Sequence, residues 1–155
     1  MTPAARLSAA IEILADIDAR RRPAADAIKD WGLGHRFAGS GDRAAIAGLV
    51  YDALRRKASA GWIMNDASPR AVLLGMLKLE RGLDVQAIAD LCDGTRFAPA
   101  ALSDAERARL EHANLADAPL PIAGDYPDWL DEQFAATFGD DRGAELAALA
   151  ARAPI

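Results

Sequence analysis

Apolar positions recur at helical spacing along most of the chain. In the first segment they fall at i, i+3, i+4 and i+7, which places them on one face of a helix over about residues 3–19; they are Leu7, Ala10, Ile11 and Leu14. The clearest stripe predicts a helix over about 42–58 and consists of Ile46, Leu49, Val50, Ala53 and Leu54. Because such a stripe is the face that a helix buries, we expect Leu49 and Leu54 in the core.

Start and stop signals define further helices. Ser68-Pro69 combines a capping serine with a proline in the first helical turn, and it opens a helix over about 69–81. That helix is apolar on nearly every side, which is typical of a helix at the middle of a bundle. Ser103 and Glu106 form a capping-box sequence that opens a more polar helix. The other predicted helices span about 24–31, a short stretch at 62–64, about 84–94, about 127–138 and about 141–151.

The chain is therefore predicted to be all-α. β-branched residues nowhere alternate with polar ones at period 2, so we expect no sheet. Three parts are expected: a helical bundle over 1–113, a connecting segment with prolines and a glycine over 114–125, and a short helical linker module over 126–155.

Composition narrows the class of protein. A chain of 155 residues is long enough for one domain, or for one domain and a short attached piece. Its apolar runs are shorter than the roughly 20 residues that cross a membrane, and its first residues lack a signal-peptide pattern. The single cysteine excludes an internal disulfide. We expect a cytoplasmic protein that does not enter a membrane.

Candidate catalytic and metal-binding residues are sparse. His35 and His112 are far apart and have no partner at metal-ligand spacing, so we interpret both as ordinary surface or loop residues. Cys92 falls on an apolar helical face, where a small buried side chain is the simpler interpretation than a nucleophile. The Gly-x-Gly stretches at 32–34 and 39–41 lack the spacing of a phosphate-binding turn. We therefore assign no catalytic and no metal-binding residue.

Charge is distributed unevenly in this acidic chain, whose net charge is −5. Residues 1–57 carry ten Lys/Arg and seven Asp/Glu, a net +3, whereas residues 58–155 carry eight and sixteen, a net −8. Two basic clusters, Arg20–Arg22 and Arg55–Lys57, lie near predicted helix ends. Cations at these positions either stabilise the helix by interacting with its dipole or contact phosphates. The pattern alone leaves both interpretations open.

Two stretches are similar to the NusB-like domain. One runs from Asp42-Arg43 through Leu49-Val50-Tyr51 to Leu54-Arg55-Arg56, and the other is Ser68-Pro69-Arg70-Ala71-Val72-Leu73-Leu74-Gly75. This domain resembles the antitermination factor NusB and also occurs at the N-terminus of Fmu/Sun-type ribosomal RNA cytosine-5 methyltransferases. The second context is favoured by Tyr126-Pro127-Asp128-Trp129-Leu130, followed by Phe134, Phe138 and Gly139, which resembles the segment leading to the catalytic half of those enzymes. The ending 150–155 looks like the point just before that family's Leu-Arg-Val-Asn motif.

The resemblance implies a fragment that helps to dock a methyltransferase on ribosomal RNA. Its partners would be ribosomal RNA and its own catalytic domain, and the S-adenosylmethionine cofactor would belong to that domain rather than to this fragment. The family's two working cysteines also lie there, so Cys92 matches neither. The residues expected to contact RNA phosphates are Arg43, Arg55, Arg56 and Lys57, followed by Arg20, Arg21 and Arg22.

Two alternatives stay open. The first is a free-standing NusB-type RNA-binding or antitermination factor, which has no need for the 126–155 module. The second is a helical adaptor that binds only proteins. Salt-dependent affinity for RNA distinguishes the adaptor, because counterion release accompanies binding to a polyanion.

Overall fold

The computed structural model describes residues 1–150, and regular structure in that range is helical throughout, which confirms the all-α prediction. Residues 151–155, at the end of the predicted linker module, lie outside the described range. The helices are α1 (Pro3–Arg20), α2 (Ala24–Gly34), α3 (Ser40–Arg55), α4 (Lys57–Met64), α5 (Pro69–Leu79), α6 (Val85–Leu91), α7 (Asp104–Glu111), α8 (Leu120–Ala123), α9 (Asp131–Phe138) and α10 (Arg142–Ala150), with 3₁₀ turns at Asp128–Leu130 and Gly139–Asp141.

Helix α5 lies at the centre of the bundle, as its apolar circumference predicts. Every residue from Ala71 to Leu77 is buried. The Ser68 hydroxyl accepts a hydrogen bond from the Ala71 N–H at 3.3 Å, which caps the helix at the predicted residue. Helices α1, α3, α4, α6 and α7 all contact α5. The two segments that resemble the NusB-like domain thus form α5 and its neighbour α3.

Helices α4 and α5 approach each other closely at a glycine. A Cβ atom added to Gly75 would lie 2.7 Å from the Ala60 Cβ and 2.8 Å from the Ala60 carbonyl oxygen. Atoms of a real side chain do not approach backbone that closely, so the glycine sets the distance between the two helices. Ala60 itself is fully buried in this contact.

The predicted helix over 42–58 is wrong at both ends. Ser40 and Gly41, which precede the predicted helix, form the first turn of α3. The helix ends at Arg55, and Arg56 departs from helical geometry with φ −103° and ψ 13° before Lys57 begins α4. After this break, Ile63 and Met64 of α4 are buried against the core. Leu49 is buried as expected, whereas Leu54 is only partly buried at the edge of the core.

The proline-containing segment 114–125 packs against the bundle rather than spanning a gap. It contains the short helix α8, which contacts α4. The module that follows is held together by Tyr126, whose ring meets that of Phe134 edge to face at 5.0 Å and whose hydroxyl bonds to Asp131. Among residues 1–150, every helix is too short or too polar to cross a membrane.

Gly75→Ala should destabilise the fold by about 1–3 kcal/mol, because its methyl group would press on the Ala60 backbone. Gly41→Ala is the matched control. A Cβ there has no neighbour within 4 Å, and alanine favours the helical state by up to about 1 kcal/mol. Urea unfolding of both variants measures the difference. A Gly75→Ala protein as stable as Gly41→Ala would contradict the close contact of α4 and α5.

Candidate nucleic-acid interface

The predicted cluster at Arg55–Lys57 is engaged in ion pairs in the structure. Arg55 bonds to Asp52, a buried carboxylate that also accepts from Arg81 through Nε at 2.9 Å. Lys57 Nζ lies 3.4 Å from Asp18 in an exposed pair. The sequence did not reveal Arg81 as a partner of Asp52. The two residues are far apart in the chain and meet only in the folded state.

Arg56 links two acidic residues from different parts of the chain. Its Nε donates to the Glu80 carboxylate at 2.9 Å, and its guanidinium lies 3.7 Å from Asp125. Asp125 accepts from the Ser59 N–H at 2.8 Å and from the Ser59 hydroxyl at 2.6 Å. Burial raises the pKa of Asp125, and the bonds from Ser59 and the charge of Arg56 act in the opposite direction. Arg56 therefore helps to fasten the 114–125 segment to the bundle.

The remaining predicted contacts are also largely engaged within the protein. Arg43 donates to two backbone carbonyls, Ala38 at 3.0 Å and Gly32 at 3.1 Å, and so holds the loop between α2 and α3. Arg20 pairs with Asp16, and Arg22 pairs with Asp16 and Asp30. The hydrogen bond from Arg22 lowers the pKa of Asp30. Among the described residues, Arg21 is the one predicted contact that forms neither an ion pair nor a hydrogen bond through its side chain.

A groove that the sequence did not predict lies between the first half of α1, the end of α2 and the loop that joins α6 to α7. It has a volume of about 850 Å³, within the usual range of ligand sites in proteins. Its walls are mostly apolar and aromatic. The lining that matters for its chemistry consists of Ser8, Glu12, Trp31, His35, Phe37, Arg96 and Phe97.

Two aromatic rings form a flat stack in the groove. The Trp31 and His35 rings are 4.2 Å apart between centroids and nearly parallel, at 8°. The Phe37 ring meets His35 nearly perpendicularly at 5.9 Å. Helix α2 produces the stack because residues four apart lie above one another on one helix face. A further planar ring can extend such a stack.

Two turns at the groove share the same sequence. Residues Arg36-Phe37-Ala38 and Arg96-Phe97-Ala98 repeat one tripeptide. In each turn the alanine N–H bonds to the carbonyl three residues earlier, at 3.0 Å in both. The two phenylalanines are exposed by 74% and 69%. Because both rings line the same groove, together they make it a candidate binding surface.

The second of these turns is held in a strained conformation. Phe97 has φ +71°, a left-handed conformation that bulky side chains rarely adopt. Ser8 on α1 donates its hydroxyl hydrogen to the Phe97 carbonyl at 2.7 Å and so ties the turn to the wall of the groove. Strain of this kind persists where the surrounding structure requires it, often at binding sites.

The arginines of the two turns are free of carboxylates. Arg36 and Arg96 are exposed, and neither forms an ion pair with any residue that the structure describes. The Arg96 guanidinium lies 4.8 Å from the centroid of the Phe97 ring, a cation–π contact. Exposed rings beside unpaired arginines can stack on bases and neutralise phosphates, the combination by which proteins hold single-stranded nucleic acid.

The cysteine and the two histidines, which were predicted to have no catalytic or metal-binding role, lie in different environments. Cys92 is buried, and burial raises the pKa of its thiol, which makes it less reactive. His112 is exposed at the end of α7, but His35, interpreted as an ordinary residue, lies in the aromatic stack. Within residues 1–150 there is no cluster of three or more potential metal-ligating side chains.

One signal in the sequence could have located the groove. The Arg-Phe-Ala tripeptide appears at 36–38 and again at 96–98, each time within a segment free of helical periodicity. Sixty residues of separation hide the fact that the two copies meet at one surface.

Comparison of this chain with family models, with curated proteins and with solved structures gives no match.

Arg56→Gln should destabilise the protein by about 1.5–3 kcal/mol, the usual loss when a hydrogen bond between charged groups is removed. The reason is that Glu80 and the buried Asp125 lose their shared cation. Lys57→Gln is the matched control, because it removes an exposed ion pair that contributes less than about 1 kcal/mol. Denaturant unfolding measures both. Equal stability of the two variants would show that Arg56 has no structural role.

Proposed function

We propose that this chain is an RNA-binding helical domain that holds single-stranded RNA in the aromatic groove. The observation that carries the proposal is the pair of Arg-Phe turns at one groove, each with an exposed ring and an arginine outside any described ion pair. Rings accept unstacked bases, and arginines beside them accept the phosphates of the same strand.

The charge of the chain favours single-stranded over double-stranded RNA. A protein that grips a duplex needs cations along a broad face, whereas this chain carries a net charge of −5. Most of the predicted basic residues are paired with carboxylates or backbone carbonyls. The remaining cations therefore act locally, where stacking supplies much of the affinity.

The finer part of the proposal rests on the sequence resemblance alone. On that basis the domain docks a ribosomal RNA cytosine-C5 methyltransferase, whose catalytic domain binds S-adenosylmethionine. The RNA would then be ribosomal, and the catalytic domain would be the second partner. The two resembling segments form α3 and the central α5.

Two double variants distinguish the groove from the basic cluster at Arg55–Lys57 as the site that binds RNA. Arg36→Gln/Arg96→Gln and Arg55→Gln/Lys57→Gln each remove two positive charges. The groove variant should weaken binding to a single-stranded ribosomal RNA oligonucleotide. It should also flatten the plot of log affinity against log salt by about 1.4, since each lost contact to a single strand contributes about 0.7. The Arg55/Lys57 variant should leave the slope nearly unchanged. Filter binding at several salt concentrations gives the slopes, and thermal melts verify that both variants fold.

The possible outcomes divide clearly. A slope that flattens only in the Arg55/Lys57 variant would place the RNA at the α3–α4 junction and refute the groove. Salt-independent or absent binding by the unaltered protein would refute the RNA-binding function itself and favour the protein-binding adaptor.

A further inference from the structure

We infer that Arg43 is a positioning residue for the aromatic groove, because its guanidinium holds both ends of the segment 33–37 and so fixes the backbone that carries Arg36 and Phe37. This inference rests on the proposed function, since it concerns how the groove is kept ready for RNA. It gives Arg43 a different role from the phosphate contact expected from the sequence.

Two donors of one side chain hold the segment. Arg43 Nε donates to the Ala38 carbonyl at 3.0 Å, and Nη2 of the same guanidinium donates to the Gly32 carbonyl at 3.1 Å. These two carbonyls flank residues 33–37 in the chain. A guanidinium is planar and presents its donors in a fixed arrangement, so the two bonds together constrain the distance between the ends of the segment.

The end of α2 provides the acceptor on one side. Gly32 lies in the last turn of this helix, where backbone carbonyls lack partners further along the helix. Its carbonyl also accepts from the His35 N–H, at 3.3 Å. The guanidinium lies against Gly32, since a Cβ added there would be 3.6 Å from the Arg43 Cζ. A cation in this place both bonds to the free carbonyl and favours the helix dipole.

Phe37 depends on the backbone for its position. The ring is 74% exposed, and its contact with the His35 ring lies within the same segment. Arg36 is exposed as well, whereas Ala38 is buried. Arg43 therefore holds the segment at a buried residue and leaves the exposed side chains to the groove. A side chain that is fixed in advance loses less conformational freedom when a ligand binds, and this raises affinity.

The same bonds set Arg43 apart from Arg36 and Arg96 as a phosphate ligand. Nε and Nη2 form one edge of the guanidinium, and both are bonded to the protein. A phosphate that bound this edge through two parallel bonds would displace the Ala38 and Gly32 carbonyls. It would thereby release the loop that carries Phe37.

Arg43→Lys is the decisive variant, because it keeps the positive charge and replaces the two parallel donors by a single ammonium group. It should weaken binding to a single-stranded RNA oligonucleotide about tenfold, since the loosened segment must be ordered when the RNA binds. The slope of log affinity against log salt should stay the same, because the bound complex retains its phosphate contacts. Arg43→Gln should lose a similar amount at the same slope. Fluorescence anisotropy at several salt concentrations gives affinities and slopes, and thermal melts verify folding.

Amide hydrogen exchange in the free protein tests the hold on the segment without RNA. The Ala38 N–H bonds to the His35 carbonyl at 3.0 Å, and it should exchange severalfold faster in Arg43→Lys and Arg43→Gln, while amides of α5 keep their rates. Arg109→Lys is the matched control, since it makes the same change at an exposed position on α7, outside the groove. It should alter neither this exchange nor the RNA affinity.

The outcomes distinguish the role of Arg43 from the function of the groove. Unchanged affinity of Arg43→Lys would overturn the inference, and a slope flattened by about 0.7 in Arg43→Gln would then show a direct phosphate contact. Faster exchange at Ala38 with unchanged RNA affinity would also overturn it, because Arg43 would then be structural only. Absent or salt-independent RNA binding by the unaltered protein would refute the proposed function itself, and this inference with it.

Discussion

The burial of α5 on all sides is the constraint on which the rest of the structure depends. A helix with no polar face must be covered completely, so α1, α3, α4, α6 and α7 all contact it. The absence of a side chain at Gly75 allows α4 to lie close to α5. The break at Arg56 separates α3 from α4, and each of these helices contacts α5. Helix α2 packs on the outer side of α1 and α3 instead. The aromatic groove opens where α2 and the α6–α7 loop meet the first half of α1.

Pairing with carboxylates determines which cations remain available to bind an anion. Within each basic cluster the residues are adjacent in sequence, but in the fold most of them pair with different acidic residues. Arg56, for example, joins Glu80 to Asp125. Arg43 serves the groove indirectly, because its bonds to Ala38 and Gly32 hold the loop that presents Phe37. The charge pattern of the sequence could not reveal this, since ion pairs form between residues far apart in the chain. Arg36 and Arg96 on the two turns are among the cations that form no ion pair in the described part of the chain, and they lie beside the exposed rings.

Local signals predicted much of the fold and little of the site. The Ser68 cap and the stripe containing Leu49 identified α5 and α3, because those signals depend on near neighbours in the chain. The break between α3 and α4 at Arg56 has no glycine or proline to mark it, so the local pattern did not locate the end of α3. The groove needs three distant segments at once. Phe37 and Phe97 are unremarkable as single exposed rings, and they acquire meaning when the fold brings their turns together.

Amide hydrogen exchange with and without single-stranded RNA locates the bound RNA without any substitution. If the RNA lies in the groove, exchange should slow on RNA binding in the segments 31–38 and 93–98, which carry the stacked rings and both Arg-Phe turns. Exchange should change little at 20–22 and at 52–57, where the cations are mostly paired. Protection confined to 20–22 and 52–57, with unaltered exchange around the groove, would contradict RNA binding in the groove.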